Sequence, residues 1–307
     1  MGAAGTQSMT RTQTVEHLLL RDEPMSRHTT FGIGGPADFY AVAATENEMV
    51  ALTAWARGVG IPARVIGGGA NLLVSDAGAR ELIIENRIGG CTVNSNRALV
   101  RAGSGIPIAD LAAYTVAMGL AGLEWAVGLP GTLGGAIVGN AGAFGGYVDQ
   151  VVRSVTILPA GGQITCWDVQ ACGFTYRGSR FKGGRLGGTA ILGAELQFQH
   201  AGASALEQMA RGFIAKRDAG QPWEPSAGSV FKRTADHPAG WLIEQAGLKG
   251  RRMGGAQIST RHANFIVNNG NATAGDVLKL INLARDTVKT KFAVDLELEI
   301  EMVGIRQ

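Results

Sequence analysis

Three consecutive glycines separate two apolar segments in residues 61–76, which read IPARVIGGGANLLVSD. The flanking segments have the length and residue types of short β-strands. Consecutive glycines allow successive backbone N–H groups to converge on an anion, because no Cβ atom blocks the approach. The loop is neither a dinucleotide fingerprint nor a P-loop, since LLVSD continues as a strand and no GK[ST] follows. A tight hairpin would explain the glycines equally well, so this motif alone leaves both interpretations open.

A second glycine-rich stretch covers residues 122–146 and reads GLEWAVGLPGTLGGAIVGNAGAFGG. Glycine makes up about 15% of the chain, 46 of 307 residues, against a usual share of about 7%. Such clustering indicates backbone packed against a flat or phosphorylated ligand, with close packing of turns as the simpler alternative. Two such loops in one chain favour a large nucleotide-type cofactor more strongly than one loop would.

The composition excludes several classes of protein. Hydrophobic residues make up 46% and charged residues 17%, which is typical of a globular chain. Lys and Arg number 28 against 25 Asp and Glu, and no Lys/Arg-rich run occurs, so we expect no nucleic-acid partner. Three scattered cysteines without CxxC spacing predict neither a disulfide framework nor a metal site, and we expect reduced thiols.

The N-terminus and the hydropathy predict a cytoplasmic protein. Residues 1–17 lack the apolar core of a signal peptide, and the start MGAAGT resembles an acylation signal only superficially. We interpret this stretch as a flexible leader. No run of about 18 apolar residues occurs, which predicts that no segment spans a membrane.

Helices and strands are predicted in an irregular order. Helices are expected over 45–57, over 106–120, from Ser204 onward and over 273–292, with caps at Thr45, Ser204 and Thr273. The last helix should have an apolar face formed by Val277, Leu280, Ile281, Ala284 and Val288. A hairpin should turn at residues 161–162, and a last strand should cover 295–304. The lack of a regular βαβ alternation favours an α+β fold, with boundaries near 84–100 and 200–205.

Few side chains stand out as candidates for chemistry. Arg177 could bind a carboxylate or phosphate through paired hydrogen bonds, although a lone arginine is more often a surface residue. Ser229 lies in a predicted turn, outside any GxSxG nucleophile motif. Glu297, Glu299 and Glu301 alternate along the last strand and should share one face, which in isolation indicates a solvated surface.

Seven strings between Thr29 and Gly304 resemble those of one family, the UDP-N-acetylenolpyruvoylglucosamine reductases (MurB), and occur in the same order. The strings are TTFGIGGPADF, VIGGGANLLVSD, GLPGTLGGAIVGNAGAFGG, FTYRGSRF, QPWEPSAGSVFK, AGWLIEQAGLKGRRMGGAQISTRHANFIVN and LELEIEMVG. Each string is modest evidence, but seven in order are specific to this family.

The resemblance implies a fold and a reaction. Two FAD-binding domains of the FAD-linked oxidase (PCMH-like) type, over residues 1–84 and 85–203, would hold the flavin. A smaller α+β substrate-binding domain over 204–307 would close over the substrate. NADPH would reduce non-covalently bound FAD, and hydride would then pass to UDP-N-acetylglucosamine-enolpyruvate, giving UDP-N-acetylmuramate for peptidoglycan. The family also implies a monomer.

The resemblance further implies site residues. The catalytic Arg, Ser and Glu of the family correspond to Arg177, Ser229 and Glu299. The short segment between Arg177 and Ser229 leaves no room for the tyrosine-bearing loop of one branch, which implies the loop-lacking, type II branch. The residues expected to hold FAD are Gly67, Gly68, Gly69, Ala70, Asn71, Leu72, Gly128, Pro130, Gly131, Thr132, Gly134, Gly135, Asn140 and Ala141. Those expected to bind substrate are Tyr176, Lys216, Arg217, Gln221 and Arg233.

Two alternatives remain at this point. A related FAD-linked oxidase acting on a small hydroxy acid or sugar would not need Ser229 as a general acid. A fold-mate that only binds a nucleotide would be colourless or redox-silent.

Overall fold

The computed structural model describes residues 15–183 and 189–305, in which helices and strands follow one another irregularly around three main sheets. The predicted α+β fold is confirmed. Residues 1–14 of the predicted leader, with the acylation-like start, lie outside the described ranges. Within those ranges, no helix is long and apolar enough to cross a membrane.

The first sheet is built from residues 20–86. Its region contains, in chain order, β1 (Leu20–Pro24), β2 (Pro36–Ala43), α1 (Glu46–Gly58), β3 (Ala63–Ile66), β4 (Leu72–Val74) and β5 (Ala79–Asn86). Strands β2, β5 and β3 are parallel neighbours, and β1 pairs antiparallel with β2 at the edge. The predicted capping box of α1 is confirmed, because the side chains of Thr45 and Glu48 each accept a hydrogen bond from the other's backbone N–H.

The second sheet is antiparallel and has the order β12-β11-β13-β7-β6. Its region contains β6 (Cys91–Asn94), β7 (Leu99–Gly103), α2 (Ile108–Ala117), β8 (Leu120–Ala121), α3 (Leu133–Gly139), β9 (Gly142–Ala143), β10 (Gly146–Tyr147), β11 (Val152–Leu158), β12 (Thr165–Asp168), β13 (Ala190–Gln197) and β14 (Gln199–His200). The predicted hairpin joins β11 to β12, where Gly161 has a φ of +72°. Such a left-handed conformation favours glycine.

The third sheet, β15-β18-β17-β16, is also antiparallel. The elements from α4 onward are α4 (Ala203–Gly220), β15 (Ser226–Ser229), α5 (Ala239–Gln245), β16 (Arg252–Met253), β17 (Ala256–Ile258), β18 (Phe265–Asn268), α6 (Ala274–Phe292) and β19 (Glu301–Val303). Helix α6 begins at the predicted cap Thr273. All five residues of its predicted apolar face are buried, namely Val277, Leu280, Ile281, Ala284 and Val288.

One predicted cap is wrong. Helix α4 begins at Ala203, with Gly202 as its N-cap and no side-chain hydrogen bond there. The pairing of β14 with β8 continues through a bond from Ala201 N to Gly119 O, so the helix starts as soon as this pairing ends. Ser204 therefore already lies inside the first turn, where it cannot act as the N-cap.

The predicted last strand is shorter than expected, because its residues change partners. Lys232 N donates to Glu297 O and Glu299 N donates to Val230 O, both with an N–O distance of 2.8 Å. After residue 299 the chain no longer pairs with the segment 230–232, and β19 pairs in parallel with β4 of the first region. Regular strand geometry is confined to Glu301–Val303, and the segment connects the third sheet to the first region.

The second and third sheets lie within the predicted ranges 85–203 and 204–307, whereas β5 of the first sheet continues to Asn86, two residues past the predicted boundary at 84. The domain boundaries themselves remain predictions. Besides the β4–β19 pair, several side chains form hydrogen bonds between the first and last regions, Thr30, Asn71, Asp76 and Asn268 among them. The Asp76 carboxylate accepts hydrogen bonds from Ala274 N (2.8 Å) and Gly275 N (3.0 Å) at the start of α6. These bonds satisfy N–H groups that have no partner within the helix.

We expect Asp76→Ala to lower the free energy of unfolding by about 1–2 kcal/mol, because two N–H groups at the start of α6 lose their charged acceptor. Urea unfolding followed by circular dichroism would measure the change. Asp295→Ala is the matched control, since this carboxylate is exposed and, in the part of the chain that the structure describes, pairs with Lys289 alone. The control should cost less than about 1 kcal/mol. Equal losses in the two variants would contradict the proposed connection.

Candidate functional site

The two glycine-rich loops pack against each other, backbone to backbone. A Cβ atom on Gly67 would overlap Thr132 Oγ1, and a Cβ atom on Gly68 would lie 3.4 Å from the Cα of Gly131. Gly69 has a φ of +62° and also faces the backbone of His28 closely. Any larger residue at Gly67 would push the two loops apart, and one at Gly69 would overlap the backbone of His28.

A cavity of about 680 Å³ lies alongside the two loops, within the usual size range of small-molecule sites. Most of the residues expected to hold FAD line it: Gly67, Gly68, Gly69, Ala70, Asn71, Leu72, Gly128, Pro130, Gly131, Thr132, Gly134, Gly135 and Ala141. Because glycines form so much of this wall, a ligand can approach the backbone itself. The exposed backbone of the glycine loops and the size of the cavity therefore fit a flavin dinucleotide.

Asn140 does not line this cavity. It ends α3 in a left-handed conformation with a φ of +41°, and its side-chain amide donates to Asp149 Oδ2 (2.9 Å) and Thr175 O (3.0 Å). The amide is thus used to support the turn that follows Thr175.

Arg177 lies in that turn, which is closed by two backbone hydrogen bonds between Thr175 and Gly178. Its φ of +55° is uncommon for a residue with a side chain, and such conformations concentrate at functional sites. Arg177 Nε lies 2.8 Å from Glu299 Oε1, and both side chains are about one-fifth exposed or less. The contact is an ion pair without good hydrogen-bond alignment, since Nε is buried and has no hydrogen-bond partner among the described residues.

Glu299 is held by its backbone. Its N–H donates to Val230 O, and its carbonyl accepts from the Asn71 side chain at 3.1 Å. Burial raises the pKa of Glu299 above the ordinary glutamate value, and the nearby cations Arg177, Lys182 and Lys232 oppose that shift only in part. The carboxyl group can therefore share or hold a proton more readily than a surface glutamate.

Glu297, Glu299 and Glu301 lie in different environments. Glu299 and Glu301 both line the cavity. Glu297 is 74% exposed and pairs with Lys232 on the surface. The expected solvated surface therefore applies to Glu297 alone.

Ser229 ends β15 and also lines the cavity. The preceding Gly228 has a φ of +75°, and the pairing of β15 with β18 is irregular between Ser226 and Ser229. Among the described residues, no hydrogen-bond partner occupies the Ser229 hydroxyl, which leaves it available to a ligand.

The residues expected to bind substrate divide into two groups. Arg217 and Gln221 line the cavity. Arg217 is buried, donates through Nη2 to Trp125 O at 2.8 Å, and leaves Nε without a partner among the described residues. Tyr176, Lys216 and Arg233 do not line it. Tyr176 Oη instead accepts from Arg233 N at 3.3 Å, and Lys216 Nζ lies over the rings of Phe144 and Phe213.

Lys182 is a cavity residue that the sequence reasoning missed. Its Nζ donates to Arg177 O at 2.8 Å, which stabilises the turn that presents Arg177. Burial lowers the pKa of Lys182. The only available signal was its position in the string FTYRGSRFK, five residues after Arg177.

Comparisons with known proteins agree with this geometry. Residues 37–166 match the family model of an FAD binding domain, so the fold and the cavity define an FAD-binding protein. Residues 221–303 match the model of the UDP-N-acetylenolpyruvoylglucosamine reductase C-terminal domain.

Whole-chain relatives give the particular family. The UDP-N-acetylenolpyruvoylglucosamine reductase of Chloroflexus aurantiacus is 44% identical over 291 residues, covering 93% of this chain and 97% of the relative. That of Heliobacterium modesticaldum is 41% identical, with coverages of 93% and 90%. The crystal structure of the Thermus caldophilus enzyme (MurB) superposes with a TM-score of 0.79 at 32% identity, covering 92% and 98%. The chain belongs to the UDP-N-acetylenolpyruvoylglucosamine reductase family, which confirms the resemblance.

We expect Gly67→Ala to cost about 1–3 kcal/mol of folding free energy, because its methyl group would overlap Thr132 Oγ1. In a Thr132→Ala background the same change should cost less than about 1 kcal/mol, since the overlapping atom is gone. Urea unfolding of the four members of this double-mutant cycle would test the contact. An equal cost of Gly67→Ala in both backgrounds would show that the loops do not meet there.

We also expect Glu299→Gln to change how stability depends on pH. The raised pKa of Glu299 means that the folded chain binds this proton more tightly than the unfolded chain does. Wild type should therefore lose stability relative to the variant as pH rises from about 4.3 through the raised value. Urea midpoints at closely spaced pH values would measure this, with Glu297→Gln as the exposed control. If the stability of wild type minus that of Glu299→Gln stayed constant or rose with pH, the raised pKa of Glu299 would be contradicted.

Proposed function

We propose that this protein catalyses the NADPH-dependent, FAD-mediated reduction of UDP-N-acetylglucosamine-enolpyruvate to UDP-N-acetylmuramate, a step of peptidoglycan precursor synthesis. The observation that carries the proposal is the meeting of Arg177, Ser229 and Glu299 in the same cavity as the two glycine loops. Membership of the reductase family supports it. The proposal includes a cytoplasmic, monomeric protein, and the free thiols of Cys91, Cys166 and Cys172 are consistent with a reducing compartment.

The glycine loops would hold the cofactor. Gly67–Leu72 and the segment from Gly128 to Gly135 present backbone toward the cavity and admit close approach of a pyrophosphate and a flat ring. Bound FAD would supply the hydride transfer from NADPH to the enolpyruvyl double bond.

Arg177 and Glu299 would act on the charge that develops in the substrate. Hydride addition to the terminal carbon of the enolpyruvyl group leaves carbanion or enolate character beside the substrate carboxylate. The Arg177 guanidinium can neutralise this charge inside a partly buried site, where such an interaction is stronger than in water. Glu299, with its raised pKa, can orient Arg177 or share a proton with the developing enolate.

Ser229 would complete the reaction as general acid. Its hydroxyl proton passes to the carbanionic carbon next to the carboxylate, and the alkoxide is reprotonated before the next turnover. A hydroxyl is a weak acid near neutral pH, but the carbanionic carbon is a much stronger base, so the transfer is favourable. Arg217 and Gln221 are the proposed substrate-binding residues in the cavity. Tyr176, Lys216 and Arg233 could contribute only by moving from their present contacts.

The decisive assay follows NADPH oxidation at 340 nm under anaerobic conditions on the FAD-loaded protein, with and without UDP-N-acetylglucosamine-enolpyruvate. The proposal requires turnover only when that substrate is present. Flavin reduction without turnover would favour the alternative, an FAD-linked oxidase for a small hydroxy acid or sugar. A colourless or redox-silent protein would favour a nucleotide-binding relative without catalysis.

We expect Ser229→Ala to leave flavin reduction by NADPH unchanged and to slow flavin reoxidation by substrate at least about 100-fold, because only the second half-reaction uses the general acid. Anaerobic stopped-flow absorbance separates the two half-reactions. Ser226→Ala, on the same strand and also lining the cavity, is the matched control and should reoxidise normally. Normal reoxidation in Ser229→Ala would refute the assigned role.

A further inference from the structure

The backbone at Arg177 has a conformation that needs support from its surroundings. Its φ of +55° lies in the left-handed region, which is uncommon for a residue with a side chain. Such a conformation persists only where the surrounding structure over-determines it. The side chain starts from this backbone, so the position of the guanidinium beside Glu299 depends on the contacts that hold the turn.

Hydrogen bonds of two kinds hold this turn. Thr175 and Gly178 exchange two backbone bonds across it, of 2.9 and 3.2 Å, and the Asn140 amide donates to Thr175 O. Lys182 Nζ donates to Arg177 O at 2.8 Å. Of these bonds, the one from Lys182 ends on Arg177 itself, and it holds the peptide group that follows the Arg177 Cα.

The segment that carries Lys182 is itself anchored. The backbone N–H of Lys182 donates to Ser179 O at 3.1 Å, and the Ser179 hydroxyl donates to Val138 O in α3 at 2.8 Å. Helix α3 follows directly on the second glycine loop. Lys182 therefore reaches Arg177 from a base that is fixed to the wall of the cavity, which it also lines.

A lysine is a costly donor for this bond. Burial lowers the pKa of Lys182, and the nearby cations Lys232 and Arg177 act in the same direction. Glu301 and Glu299, which line the cavity, compensate in part. Because the ammonium donates a charge-assisted hydrogen bond, it holds the Arg177 carbonyl more strongly than a neutral donor would.

We propose that Lys182 is a positioning residue of the reaction, whose bond to Arg177 O holds the left-handed turn and keeps the guanidinium beside Glu299. The inference rests on the proposed function. Lys182 acts on the backbone of Arg177, so its effect on the substrate passes through that residue. Its loss should therefore slow the half-reaction in which Arg177 acts, the reoxidation of flavin by substrate.

The test is a double-mutant cycle of Lys182→Met and Arg177→Met in the FAD-loaded protein, followed by anaerobic stopped-flow absorbance. Methionine resembles the lysine stem in length but has neither the N–H donors nor the charge. We expect Lys182→Met to slow flavin reoxidation about tenfold, since one charge-assisted hydrogen bond is lost. Arg177→Met should slow it at least about 100-fold.

The double variant decides whether Lys182 acts through Arg177. It should reoxidise within about twofold of Arg177→Met, because residues that act as a unit are not additive. Two losses that multiply would refute the proposal. An equal slowing of flavin reduction by NADPH in Lys182→Met would also refute it, since a general structural role would affect both half-reactions.

Lys232→Met is the matched control. It removes another cation near Glu299, but its Nζ bonds to the Glu297 carboxylate at 3.0 Å instead of to Arg177 O. Reoxidation in this variant should stay within about threefold of wild type, as for other surface ion pairs. A tenfold loss here as well would show that positive charge alone accounts for the effect, against the proposed positioning.

A crystal structure of Lys182→Met gives a readout that needs no substrate. We expect Arg177 to leave the left-handed region and its Nε to move by about 1 Å or more from Glu299 Oε1, a shift large enough to slow catalysis. An unchanged turn would overturn the proposal. A wild type whose flavin is not reoxidised by UDP-N-acetylglucosamine-enolpyruvate would refute the proposed function, and this structure would then decide the role of Lys182 by itself.

Discussion

The site depends on the change of partner that the chain makes between residues 297 and 303. Glu297 and Glu299 bond to the backbone beside Ser229, and Glu301 N then donates to Asn71 O at 2.8 Å, where β19 joins β4. Glu299 lies at the point of the change, between the serine strand and the first glycine loop. Hydrogen bonds to the backbone N–H and carbonyl of Glu299 hold this residue where its carboxylate lies 2.8 Å from Arg177 Nε, and they position the proposed catalytic pair.

Burial then gives chemically identical residues different properties. Glu297 and Glu299 are two residues apart, yet the first is exposed beside Lys232 and the second is enclosed beside Arg177. Desolvation raises the pKa of Glu299 against the pull of three nearby cations. The same enclosure strengthens the interaction of Arg177 with any negative charge that develops in the cavity. The glycine loops contribute in a complementary way, since they bring backbone rather than side chains to the ligand.

The parts of the fold that were predictable have local causes. The caps at Thr45 and Thr273, the apolar face of α6 and the turn at Gly161 each depend on residues within one or two turns of chain. The prediction of Ser204 as the N-cap of α4 was wrong because the pairing of β14 with β8 decides where this helix starts, and β8 lies about eighty residues away. The roles of the catalytic candidates could be assigned only through the family strings, since a lone arginine or serine carries no local signal of its neighbours.

The sequence by itself determined the α+β class, the two glycine loops, the main helices and, through its family likeness, that Arg177, Ser229 and Glu299 belong to one site. Only the tertiary structure decided that the glycine loops touch each other and that Asn140 supports the Arg177 turn instead of lining the cavity. The physical reason is separation along the chain. Asn71 bonds to Glu299 across 228 residues, and Asp76 bonds to α6 across 198. Contacts of that range leave no periodicity or spacing behind, because they exist only once the sheets have packed.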